Sequence, residues 1–304
     1  MKKIRIGTRG SKLALWQSNF IADKLRLKYP ALEVEIIKIT TKGDKILDSP
    51  LAKVGGKGLF TKELEIQMLD GNIDLAVHSL KDVPAQLTDD FIIAAVTERE
   101  EPFDAFVSNK YNHFKDLPVG AKIGTSSLRR SAQILSVRPD LEIENLRGNV
   151  DTRLKKLDTE DFDAIILAVA GLKRLGYENR ITEILPTSVM LPAVGQGALA
   201  IETLKNNIEA QNIIKFLDDS NTRLAVKAER AFLKLVDGNC QIPIGVYATI
   251  EDKKITAEAV IASLDGKKFI RDKMSGSIDD AEIIGNNLAV KLLEKGGKKI
   301  LSLI

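Results

Sequence analysis

One cysteine occurs in 304 residues, within Asp237-Gly238-Asn239-Cys240-Gln241-Ile242-Pro243-Ile244-Gly245. Glycines on both sides and a proline three residues on mark an irregular loop, not a buried strand. A thiol there has three readings: an incidental residue, a small hydrophobe filling a gap, or a nucleophile. A long amphipathic helix pattern runs up to the loop, and a strand-like run leads away from it.

Cations stand where helices start. A helix N-terminus carries partial positive charge, so Arg or Lys there costs about 0.3–1 kcal/mol unless an anion is bound. Arg9 precedes a helix starting near Ser11, and Lys57 precedes one at Leu59. Arg129 and Arg130 fall in the first turn after Thr125-Ser126-Ser127. Arg147 precedes a helix at Asn149, and Arg153 follows within a turn. Glycines or hydroxyl residues beside each leave backbone N–H groups and hydroxyls available to an anion. Any one of these is equally a solvated surface cation. Four together suit a ligand carrying several carboxylates or phosphates.

A carboxylate stands near such a site. Ala76-Val77-His78-Ser79-Leu80-Lys81-Asp82-Val83-Pro84 follows an apolar run that reads as a buried strand. Loops at strand ends line clefts in α/β proteins. Asp82 is either a turn-forming aspartate or a carboxylate facing a cationic intermediate. His78 reads as a packed or hydrogen-bonded histidine, with a general base as the alternative. His113 lies in a polar loop and is expected to be exposed.

Other chemistries fit poorly. Gly195-Gln196-Gly197-Ala198-Leu199-Ala200 matches a dinucleotide fingerprint only superficially, because Pro192 interrupts the preceding run and a strand follows it. The Gly55-Gly56-Lys57-Gly58 loop lacks the Lys-Ser/Thr pair of a phosphate-binding loop. The arginines lack interleaved aromatics and the net charge is only +3, so nucleic acid is not expected. One cysteine and two histidines make no clustered Cys/His metal site. The single cysteine fits a reducing compartment, and no secretory or membrane-spanning run is expected.

The elements that must position these residues alternate. Ile4–Gly7 reads as a strand, followed by a helix with Leu13, Trp16, Phe20 and Leu27 on one face. A strand at 34–40, a helix carrying Phe60, Leu64 and Met68, and a strand at 73–77 complete a first series. The second comprises strands at 104–107, 122–124, 141–146 and 163–169, with helices from Ser127 and Val150. Two such series predict two similar α/β lobes with largely parallel sheets. The last third differs. A helix at 221–236, with Leu224, Ala228, Ala231, Phe232 and Leu235 inward, precedes three strands and a helix bearing Ala281, Ile284, Leu288 and Leu292. This reads as a small α+β domain beginning at the polar turn Asp218-Asp219-Ser220.

Seven stretches resemble the porphobilinogen deaminase (hydroxymethylbilane synthase) family. They are Gly7-Thr8-Arg9-Gly10-Ser11 with Leu13 to Gln17, Gly55 to Phe60, His78 to Pro84, Gly124 to Arg130, Arg147 to Arg153, Leu191 to Gly197 and Cys240 to Gly245. They follow the family's order across nearly the whole chain. Asn239 departs from the glycine more usual before the cysteine.

The resemblance implies two similar lobes like those of periplasmic binding proteins plus a small C-terminal α+β domain. The segments are 1–97 with 198–217, then 98–197, then 218–304. It implies a transferase of porphyrin and haem biosynthesis that joins four porphobilinogen molecules, each losing ammonia, to a dipyrromethane cofactor held by a thioether to Cys240. Hydrolysis then frees the linear tetrapyrrole. Asp82 corresponds to the catalytic aspartate. Lys81, Thr125, Ser126, Ser127, Arg129, Arg130 and Arg153 correspond to the cofactor-holding side. Arg9, Ser11, Gln17, Phe60, Arg147, Arg174 and Gln196 correspond to substrate-binding positions, and Lys53 and Lys57 to a loop covering the cleft. A cytoplasmic monomer acting on a small molecule, with neither nucleic acid nor membrane as partner, is expected. The rival readings are a bilobal anion-binding protein without catalysis and a nucleic-acid-binding protein.

Overall fold

The computed structural model describes residues 2–41, 61–236 and 242–304. Lys53, Lys57, Phe60 and Cys240 lie outside the described residues.

The first lobe is built from β1 (Lys3–Thr8), α1 (Lys12–Lys28), β2 (Glu33–Lys38), α2 (Lys62–Leu69), β3 (Leu75–Ser79), β4 (Phe91–Val96) and a late strand, β10 (Leu199–Leu204), which α6 (Ile208–Ile214) follows. Its sheet order is β2-β1-β3-β10-β4. The second lobe holds β5 (Asp104–Val107), β6 (Lys122–Gly124), α3 (Leu128–Val137), β7 (Glu142–Glu144), α4 (Val150–Thr159), β8 (Ala164–Ala168), α5 (Val169–Arg174) and β9 (Glu183–Ile184). Its order is β7-β6-β8-β5-β9. The two sheets share one plan, as the tandem series predicts.

Each sheet is mixed, with four of its five strands running the same way. Each pairs three strands in parallel, then adds an antiparallel strand and an edge strand antiparallel to that one. The reversed strands are β5 and β10, which enter from the other lobe. They need no helical crossover within their own sheet, so parallel pairing is not imposed on them.

The chain therefore crosses between sheets twice, at 97–103 and 185–198. The crossings bind each other: Arg99 Nε donates to the Gln196 carbonyl at 2.8 Å, and Glu100 N–H to that of Gly197 at 3.3 Å.

The α1 face differs from the periodicity reading. Ala14, Gln17, Ser18, Ile21, Ala22 and Leu25 are buried, whereas Leu27 is 84% exposed and Trp16 37%. Small residues at 14, 18 and 22 let the helix lie close on the sheet. Trp16 instead stacks on Phe20, its ring facing the Arg174 guanidinium of the second lobe.

The last third comprises α7 (Ser220–Leu235), the antiparallel meander β11 (Ile244–Glu251), β12 (Lys254–Ala262) and β13 (Phe269–Ser277), and α8 (Ala281–Leu292). Ala281, Ile284, Leu288 and Leu292 are buried as expected. On α7, Leu235 is 39% exposed, and Ala225, Val226 and Glu229 are buried instead. The helix packs on two sides: Ala228 and Phe232 join the C-terminal core, while Val226 joins a first-lobe cluster with Leu80 and Val83. Periodicity alone assigns one buried face and misses the second. Among the described residues no helix is long and apolar enough to cross a membrane.

Candidate functional site

Asp82 ends a 3₁₀ turn, Leu80–Asp82, that follows β3 directly. The turn is held at its start by Leu80 N–H donating to the Ala198 carbonyl at 3.0 Å, and closed by Val83 N–H donating to that of Leu80 at 3.1 Å. Asp82 is exposed and lines a cavity with Arg9, Ser11, Gln17, His78 and Ser79. Ser11 caps α1, its hydroxyl accepting from Ala14 N–H at 3.2 Å, and α1 has no acidic residue in its first turn. Gln17 is buried, with Nε2 donating to Ser79 Oγ at 2.8 Å.

His78 is hydrogen-bonded rather than free. Its Nε2 lies 2.8 Å from Oε2 of the fully buried Glu202 on β10. His113 is half-exposed, 3.9 Å from Glu183.

The second lobe presents the cations. Ser127 caps α3, which also lacks an acidic first turn. Thr125 Oγ1 accepts from Ser127 N–H at 3.2 Å, and the Ser126 hydroxyl donates to the Leu146 carbonyl. The guanidinium groups of Arg129 and Arg130 both turn inward to Asp104, each 2.7 Å from a carboxylate oxygen, and all three residues are buried. Arg129 also donates to the Leu191 carbonyl and Arg130 to that of Ile166. Part of the anion these helix-end cations require is thus the protein's own. Burial works against the Asp104 carboxylate, but the two guanidinium groups outweigh it and hold its pKa well below the usual range. Burial, reinforced by Arg129 beside it, lowers the pKa of Arg130 against the pull of Asp104.

Arg153 Nε donates to the Gly148 carbonyl at 2.8 Å. Burial, with Arg130 and Arg147 nearby, pulls its pKa down to about 10. Arg147 is lowered by burial, and among the described residues its buried Nε has no hydrogen-bond partner. Lys81 is pulled down to about 8 by burial and then by Arg130, against the pull of Asp82 and Asp104. Arg174 binds the Gly197 carbonyl, and burial lowers its pKa to about 10.

Gln196 is among the positions the resemblance assigns to substrate binding. It is 1% exposed, and its carboxamide is engaged inside the protein. Nε2 donates to the Pro102 carbonyl at 2.6 Å and to Asp104 Oδ1 at 3.1 Å, while Oε1 accepts from Lys81 Nζ at 3.3 Å. It links Lys81 to Asp104 and the chain crossing at Pro102.

Lys81, Arg129, Arg130, Arg147 and Arg153 surround Asp82 and Asp104. Among the described residues these five cations face two carboxylates, an excess of three positive charges, on side chains that range from buried to partly exposed. Such a cluster is costly without an anion.

Comparison with known proteins decides which anion. Residues 4–212 match the family model "Porphobilinogen deaminase, dipyromethane cofactor binding domain", and residues 223–294 match "Porphobilinogen deaminase, C-terminal domain". The chain belongs to the porphobilinogen deaminase family. It is 51% identical over 302 residues to the porphobilinogen deaminase of Geotalea uraniireducens, covering 99% of this chain and 95% of that one. To that of Lawsonia intracellularis it is 54% identical over 303 residues, covering 99% and 98%. Among solved structures, a periplasmic substrate-binding protein of an ABC transporter from Coxiella burnetii aligns with a TM-score of 0.46 and 15% identity over 72% of this chain and 94% of that one, too slight a likeness to bear on function.

The porphobilinogen deaminase family carries a dipyrromethane cofactor. The residues present fit it. Its acetate and propionate groups are polyanionic, which suits the excess positive charge and the unpartnered Nε of Arg147.

Several members of this site escaped the sequence reading. Asp104 registered only as the start of a strand, and Glu202 as the end of one. A lone carboxylate inside an apolar run such as Phe103-Asp104-Ala105-Phe106-Val107 is the available signal, because a buried acid requires a partner.

Proposed function

We propose that this chain polymerises four porphobilinogen molecules head-to-tail, with loss of ammonia, on a dipyrromethane primer bound through Cys240, and releases the linear tetrapyrrole hydroxymethylbilane by hydrolysis. The observation that carries the reading is the excess positive charge opposite an exposed Asp82. When bound, the dipyrromethane supplies the free pyrrole α-carbon that receives the first unit.

Asp82 is exposed and lines the cavity. Its carboxylate stabilises the positive charge left on the substrate's carbon as ammonia departs, an electrostatic role in a site already organised for it. It also lies where pyrrole N–H groups and departing protons can be received. Arg147, Arg153 and Lys81 offer donors to the carboxylates of the primer. Arg129 and Arg130, tied to Asp104, contribute a fixed positive field and close the second lobe around it. Arg9 and Ser11, on the Asp82 side, face the acid groups of the incoming porphobilinogen, with Gln17 behind them. Arg174 and Gln196 act at the crossings between lobes. Lys53, Lys57 and Phe60 belong to the cover over the cleft in this reading.

The division into 1–97 with 198–217, 98–197 and 218–304 is part of the same reading, supported by the two crossings between sheets. So are a cytoplasmic setting and a monomeric state. The lone cysteine suits a reducing compartment, and the small net charge suits a small-molecule substrate rather than nucleic acid.

Intact mass of the freshly purified chain tests the central claim. The expected mass is that of the polypeptide plus one dipyrromethane, with the adduct lost in Cys240→Ser. An unmodified Cys240 in a preparation that turns over porphobilinogen overturns it.

A further inference from the structure

The Asp82 carboxylate is exposed, and among the described residues no hydrogen bond fixes it. Its place depends on the backbone on either side. Before it, the 3₁₀ turn is pinned to Ala198. After it, one side chain grips the main chain. Arg230 Nη2 donates to the Pro84 carbonyl at 2.6 Å and to that of Ala85 at 3.1 Å, and Nη1 donates to that of Val83 at 3.4 Å.

Arg230 lies on α7, outside the catalytic lobe, and the sequence places Cys240 ten residues further on. Among the described residues it forms no ion pair with a carboxylate. Burial lowers its pKa to about 10, with Glu202 pulling the other way. A guanidinium kept charged in this setting, with only carbonyls as direct partners, is a costly way to pack a helix. Three carbonyls taken by one rigid fork fix a loop in a manner that a lysine cannot reproduce.

We propose that Arg230 is a positioning residue for Asp82: it holds the three residues after the catalytic carboxylate at a set distance from the helix that leads to the attachment cysteine. The reacting carbon moves as the chain lengthens, whereas Asp82 stays registered to the helix that carries the anchor. The inference rests on the role given to Asp82 above. Arg230 touches neither substrate nor cofactor in it.

The fold provides the means of a test. Arg230 lines a cavity of about 350 Å³ with Ala85, Val96, Val226, Ala231 and Lys234. A small guanidinium can therefore reach the place its side chain leaves. In Arg230→Ala, kcat for porphobilinogen is expected to fall about 10–100-fold, the range for misplacement of a catalytic group by about 1 Å. KM should stay within about twofold, and intact mass should show Cys240 fully loaded. Methylguanidinium at tens of millimolar, about the scale of weak small-ligand binding, should restore at least about fivefold of the loss, with sodium chloride of equal ionic strength restoring none. If Arg230→Ala does not fold, Arg230→Lys carries the test, with a smaller fall in kcat and the same unchanged KM and loading.

A kcat within twofold of wild type, a loss seen in KM or loading instead, or equal effects of methylguanidinium and sodium chloride on Arg230→Ala overturns the inference. Wild-type protein that does not consume porphobilinogen overturns the underlying function instead, so the two failures are distinct.

Discussion

Arg129 and Asp104 meet at 2.7 Å with almost no exposure, 6% and 0%. The pair joins the first turn of α3 to the first residue of β5, where the chain enters the second lobe. Arg130 shares the same carboxylate. Asp104→Asn leaves two buried guanidinium groups uncompensated and should cost about 3–5 kcal/mol. Denaturant melts of cofactor-loaded protein check this. The pH dependence follows from the depressed carboxyl pKa. The stabilisation is complete above the ordinary aspartate value of about 3.9 and is lost as pH falls below it towards the folded value. Wild type should therefore lose stability in acid through this group, and Asp104→Asn should lose less.

Lys81 titrates from the other side. Its folded pKa of about 8 lies below the ordinary 10.5 because burial and Arg130 disfavour the charge. Between those values the unfolded chain holds a proton that the folded chain lacks, so this group raises stability as pH rises through the window. Function runs the opposite way, since a neutral Lys81 contributes no attraction to carboxylates. We expect kcat/KM to fall along an alkaline limb beginning at or above about pH 8, and Lys81→Arg to remove that limb because arginine stays charged. Rate profiles of both proteins measure it.

Asp82 has little to lose structurally. It is exposed, so Asp82→Asn should change stability by no more than about 0.5 kcal/mol. Turnover should fall by about 10²–10³-fold, the scale for removing one charge-stabilising group from an active site. Comparing melting with single-turnover rates separates the two. A variant keeping most of its rate excludes Asp82 as the catalytic carboxylate.

Gly197 admits no side chain. Its φ is +95°, and a Cβ there would stand 2.2 Å from the Glu100 carbonyl oxygen. The same residue accepts hydrogen bonds from Glu100 N–H and Arg174 across the crossings. Gly197→Ala should therefore part the two crossing segments and cost about 3 kcal/mol or more, beyond the ordinary strain of a left-handed alanine. A lowered melting temperature with faster hydrogen exchange at 97–103 is the expected result.

The sequence by itself determined what short-range forces decide. Ser11 and Ser127 cap their helices because each hydroxyl meets an N–H three residues on. The strands at 104–107 and 122–124 and the helix from Val150 stand where the residues place them. The order of motifs pointed to the family, and the cations at helix starts pointed to an anion.

Tertiary structure decided which charges face which. Asp104 lies 25 residues from Arg129 and 92 from Gln196 along the chain, and His78 lies 124 from Glu202. No periodicity encodes such pairings, because each forms only when the fold brings elements distant in the chain together. The return crossing at 185–198 buried Gln196. Packing against two neighbours gave α7 a second buried face and turned Trp16 towards the other lobe. Spacing locates a cation or carboxylate on an element. Burial and the partner brought in from a distant strand determine how much of its charge remains for a ligand.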